Sequence, residues 1–189
     1  MRTPRSLTSS REIGIPRADT KFIVVCGTGT MPQMDVSARD LAWLIEKSKK
    51  TERCPYHFVI RRNGKVDKGR ALTMRAHVWH GFNAISVGIA LAGGLHPEIW
   101  SKTGDFYEPA QKAALAVVVR DLLARYPGVK VVAQDELGFV KGRTEKRINP
   151  GFNVQIWLAE VGLKHFAWWQ DEHGSPIPAQ YGERASWKP

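Results

Sequence analysis

The chain has 189 residues, 43% of them hydrophobic and 24% charged, an ordinary globular mix that suits one compact domain and excludes a wholly disordered chain. Lys and Arg number 28 against 18 Asp and Glu, and the resulting +10 favours polyanionic partners (nucleic acid, acidic lipid or anionic cell-wall polymer) without choosing among them. No apolar run approaches the roughly 18 residues of a membrane span, and the two cysteines, Cys26 and Cys54, lack CxxC spacing and read as free thiols.

Residues 1–20, MRTPRSLTSSREIGIPRADT, are basic and rich in Ser and Pro with no apolar h-region, so they read as a basic arm and not as a secretory signal. The run KFIVVC (21–26) is apolar and β-branched and predicts a buried strand. Asp35 and Ser37 then offer N-caps to SARDLAWLIEKSKK, a predicted helix with Leu41, Leu44 and Ile45 as its apolar stripe. YHFVIRRNGKVDKGR (56–70) predicts a hairpin closed by a two-residue Asn63–Gly64 turn, its strands carrying Phe58, Ile60 and Val66. AISVGIALAGG (84–94) predicts another strand. Pro109 opens a helix with Ala113, Val117 and Leu122 among its apolar positions, and Pro127–Gly128 stops it. VKVVA (129–133) predicts a strand, 135–150 a loop, and VQIWLAEVG a helix. This order implies an α/β domain over residues 21–163, a mixed β-sheet packed by helices. Residues 164–189 are rich in aromatics and Pro and predict a tail that wraps the surface.

The block YHFVIRRNGKVDKGR…AHVWHGFNAISVGIALAGG, followed by FYEPAQKAAL, resembles the type 2 N-acetylmuramoyl-L-alanine amidases, the family of amidase-type phage lysozymes and peptidoglycan recognition proteins. The similarity runs from about Lys21 to Gly162 and implies that family's fold. It also implies a zinc ion held by two histidines and a cysteine or acid, whose bound water attacks the amide between muramic acid and L-alanine. A tyrosine and a lysine assist in that family.

Carried over by position, the first histidine falls on Cys26 (on Val25 if the register slides by one), the second on Gln134, and the third ligand on Asn149. The tyrosine survives as Tyr56, the lysine's charge as Arg147, and the groove histidine as His77. Neutral amides are poor zinc donors beside imidazole and thiolate, so no zinc is expected here. A rebuilt metal site would have to draw on Cys26, Asp135, Glu136 or His77. A thiol route would use Cys26 as nucleophile, His77 or His57 as base and Asn149 as orienting group. The plainer reading of Cys26, a small buried hydrophobe at a strand end, is preferred. His57 reads as a satisfied core or interface histidine, while Trp79, His80 and Phe82 either stack on sugar rings or cap the core. The candidate catalytic residues are therefore Tyr56, Arg147 and Cys26, and the candidate substrate-binding residues His77, Trp79, His80, Gln134 and Asn149.

These residues predict a phage-derived protein that binds peptidoglycan fragments or a protein partner in an assembly. The alternative is an active peptidoglycan hydrolase using a relocated metal or Cys26. The basic loop 141–147 and the N-terminal arm are candidate polyanion contacts, and the expected location is the host cytoplasm or the phage particle.

Overall fold

The computed structural model describes residues 18–49, 54–99, 102–140 and 149–163. Five strands form one sheet: β1 (Phe22–Gly27), β2 (Phe58–Ile60), β3 (Val66–Lys68), β4 (Ser86–Leu91) and β5 (Lys130–Ala133). Their order is β3-β2-β4-β1-β5, with β1, β2, β4 and β5 parallel and β3 antiparallel to β2. The mixed sheet and its helices match the expected fold class.

Alternation along β1 divides the core. Ile23 and Val25 point to one face with Val87, Ile89 and Val131, where α2 (Pro109–Arg125) and α4 (Val154–Glu160) cover them with Leu115, Val119, Trp157 and Leu158. Phe22, Val24 and Cys26 point to the other face, under Ala76, Val78, Phe82 and Leu137. That second face continues across Val59 and Ala92 to Val36, Ala38 and Leu41 at the start of α1 (Ala38–Lys49).

Several local expectations need correction. Leu44 is exposed, because α1 buries the turn carrying Ala38 and Leu41 instead. Ser37 alone caps that helix: its hydroxyl accepts from Asp40 N–H while Asp40 accepts from Ser37 N–H and hydroxyl. Asp35 is drawn to the hairpin, where it accepts from the Arg61 side chain and from Arg62 N–H. The hairpin loop is one residue longer than expected. Gly64 N–H donates to Arg61 O and Arg61 N–H to Lys65 O, so Arg62 and Asn63 occupy the turn and Gly64, at φ 81°, makes the bulge.

In α2 the buried positions are Gln111, Leu115, Ala116, Val118, Val119 and Leu122, while Ala113 and Val117 face outward. Val66 is exposed on the edge strand β3. Residues 135–140, expected as loop, belong to α3 (Gln134–Val140), which follows β5 directly. Among the described residues no helix is long and apolar enough to cross a membrane. The body of the N-terminal arm (1–17), the basic loop 141–147 with Arg147, and the tail 164–189 lie outside the described residues.

Candidate functional site

The parallel pairing of β1 with β5 sets Val25 level with Ala133, so the next residues are Cys26, still in β1, and Gln134, which opens α3 at the end of β5. Residue 149 closes the same end. Asn149 Oδ1 accepts from Gly27 N–H at 2.7 Å, its Nδ2 donates to Gly27 O at 3.3 Å, and its own carbonyl accepts from Asp135 N–H at 3.1 Å. The three positions matched to metal ligands thus converge at the C-terminal ends of β1 and β5.

Their polar groups are already engaged. Asn149 reads both backbone groups of Gly27, as a strand partner would. Gln134 Nε2 donates to Val78 O at 2.6 Å, tying α3 to the segment that crosses the sheet face. The Cys26 thiol is fully buried, 3.9 Å from Val24 O. Burial, with the Asp135 carboxylate beside it, pushes that thiol's pKa up, opposite to what a nucleophile needs.

Neighbouring groups complete the end of the sheet. Tyr107 donates to Pro150 O at 2.6 Å, and a Cβ on Gly27 would stand 2.3 Å from the Tyr107 hydroxyl, so only glycine fits there. Tyr56 is half-buried among the residues over Cys26 and over Cys54. Burial pushes the Tyr56 and Tyr107 hydroxyls up, keeping both protonated. Asp135 presents a buried Oδ1 with no hydrogen-bond partner, and burial raises its pKa to about 7. Glu136 accepts from Ala133 N–H at 2.7 Å, yet burial and the charge of Asp135 raise its pKa to about 8.

The substrate-side candidates divide. His77 and His80 are exposed, and Trp79 is half-buried against the cluster around Cys26. Asn83 holds this segment by accepting from Val78 and Trp79 N–H, both at 2.9 Å. Phe82 is buried edge-on against Phe22, so it caps the core and is no sugar platform. His57 is also structural. Its Nδ1 accepts from Gly88 N–H, which leaves the proton on Nε2 to donate to Met74 O, both at 2.9 Å. Among the described residues no three His, Cys, Asp or Glu side chains form a group that could hold a metal. The clasp of Asn149 on Gly27 and the role of Tyr107 were missed from sequence; the glycines of CGTGT and AGG were the available signal of close backbone approach.

The sequence profile described as N-acetylmuramoyl-L-alanine amidase matches residues 16–151. The endolysin of Enterobacteria phage T3 is 31% identical over 144 residues, covering 75% of this chain and 87% of the relative. The endolysin of Escherichia phage T7 is 29% identical over 143 residues, covering 75% and 87%. Among solved structures, the Ph2119 endolysin from the Thermus scotoductus bacteriophage Ph2119 superposes with TM-score 0.62 at 22% identity, covering 82% of this chain and 94% of that one. The ectodomain complex of peptidoglycan recognition proteins LCa and LCx bound to tracheal cytotoxin gives TM-score 0.57 at 16% identity, covering 77% and 86%. The chain belongs to the N-acetylmuramoyl-L-alanine amidase family.

Proposed function

We propose that this chain is a phage-derived amidase-fold protein that binds cell-wall glycopeptide without hydrolysing it and without a catalytic zinc. One observation carries the reading: the three positions matched to the family's ligands meet at one place and carry a buried thiol and two amides already committed to backbone groups. Zinc needs several strong donors, deprotonated where they are acids, and an open position for water. Gln134 and Asn149 supply neutral amides, and freeing them would break bonds that join β1, α3 and the 76–80 segment. The donor set does not fit the ion. The burial of Cys26 likewise disfavours a thiol nucleophile.

What the fold keeps is a binding surface. Exposed His77 and His80 and half-buried Trp79 lie in one segment, and imidazole and indole are side chains that hydrogen-bond to and stack on glycopeptide. Endolysin relatives and structural likeness to peptidoglycan recognition proteins, one pair of them bound to tracheal cytotoxin, support the choice of ligand class. The test is titration of the purified chain with soluble muropeptides, run beside a muropeptide-release assay on cell walls with and without chelator. The proposal expects saturable binding and no release. Release of muropeptides, or no binding to them, would overturn it.

A further inference from the structure

A second concavity lies away from the ends of β1 and β5. Gly69 N–H donates to His57 O and Arg70 N–H to Tyr56 O, continuing the β2–β3 pairing so that residues 68–70 run beside the first turns of α1. Gly69 lies tight against the 54–56 segment, where a Cβ would stand 2.4 Å from Tyr56 O. A cavity of about 400 Å³ lies between residues 68–70 and the helix. Its apolar lining includes Ala42, Cys54 and Met74, and its cations are Arg39, Lys68 and Arg70.

Arg70 is held in the wall, donating from Nε to Cys54 O at 3.0 Å and from Nη1 to Arg75 O at 3.1 Å. Arg39 and Lys68 are exposed, and among the described residues neither enters an ion pair. Among the described residues, Asp40 and Asp67 do not line the cavity and have other partners. Asp40 accepts from Ser37, and Asp67 accepts from Ala38 N–H and stands 4.0 Å from Lys65 Nζ. Three cations lining one concave, partly apolar wall favour a ligand with an oxyanion head and a short apolar body.

We propose that this cavity is a binding site for a small organic anion, its carboxylate or phosphate met by Arg39, Lys68 and the fixed Arg70 guanidinium and its apolar part resting on Ala42 and Met74. The chemistry is shared by a phosphate monoester and by the free carboxylate of a short peptide. The site stands apart from the wall-binding reading, and either can fail alone.

Calorimetric titration of the full chain at low salt tests it, with phenyl phosphate and hippurate as the two anionic probes and benzamide as a neutral control. At least one anion is expected to saturate while benzamide does not. Saturation by phenyl phosphate alone supports the site with a phosphate ester as ligand, and saturation by hippurate alone supports it with a peptide carboxylate. The double variant Arg39→Gln/Lys68→Gln, altered at exposed positions and checked for unchanged thermal unfolding, should weaken binding about tenfold or more. The Met74 methyl resonance should shift on binding in the wild type. No saturation by either anion, equal binding by benzamide, undiminished binding by the double variant, or an unmoved Met74 methyl would each overturn the proposal.

Discussion

Replacing Asn149 by Ala removes the clasp on Gly27 and gives the sharpest stability prediction. Two bonds disappear, one at 2.7 Å from Gly27 N–H and a longer one at 3.3 Å to Gly27 O. β5 ends its pairing with β1 at Val25, so no strand residue replaces what Asn149 gives to Gly27. A net hydrogen bond contributes about 1 kcal/mol, and a part-buried donor left unmet costs about 1–3 kcal/mol. The longer bond adds little, so the expected loss is about 2 kcal/mol, or roughly 4–8 °C in Tm for a domain of this size. Asn149→Asp keeps the acceptor for Gly27 N–H and loses the donor, so it should fall between Ala and the wild type. Thermal and urea unfolding followed by circular dichroism measure all three. A drop of less than about 1 °C for Asn149→Ala would mean that water replaces the amide freely, and the clasp would not explain why residue 149 is an asparagine.

Two further outcomes follow from the same region. Asp135 and Glu136 hold their protons to about pH 7 and 8, whereas in the unfolded chain they release them near their ordinary values of 3.8 and 4.5. The folded state therefore binds more protons across that window, and stability falls as pH rises from about 4 to about 8. Asp135→Asn should match the wild type near pH 4 and exceed it by about 1–3 kcal/mol at pH 8; a gap independent of pH would contradict this. Cys26 and Cys54 are both buried with pKa values raised by burial, so neither should react with Ellman's reagent at pH 8 until denaturant is added. A rapid reaction of Cys26 in the native protein, together with loss of any hydrolysis in Cys26→Ala, would restore the thiol route.

The sheet was legible because its signals are strong and local. FIVVCG and SVGIAL are buried throughout, and β-branched runs of that length bounded by glycine have few alternatives. Helix existence was legible too, from Pro109 at the start of α2 and from Asn153, whose side chain accepts from Gln155 and Ile156 N–H to open α4. Helix facing was less so. In α2 small and β-branched residues occur all round, and the buried Gln111, donating to Ile60 O and Ala92 O, is a polar residue on the inward face. α3 was missed because it is short and carries Gly138, which lowers helix propensity.

At the site, the resemblance suggested three positions, and strand register brings those three to one end of the sheet. What Asn149 and Gln134 bond to could not be read from their identity, since an amide side chain serves equally as a ligand contact or as a substitute strand partner. Phe82 shows the same limit. It reads as either a sugar platform or a core cap, and packing against Phe22 assigns it to the core, while the two backbone partners of His57 bear out its reading as a satisfied core histidine.

The central claim concerns donors at one place, and metal content tests it most directly. The wild-type chain, purified in the presence of zinc and desalted, should carry no stoichiometric zinc. The variant Cys26→His/Gln134→His/Asn149→Cys, which returns imidazoles and a thiolate to the same three positions, should take up about one ion per chain. A wild-type protein that retains one zinc and releases muropeptides until chelator stops it would contradict the account.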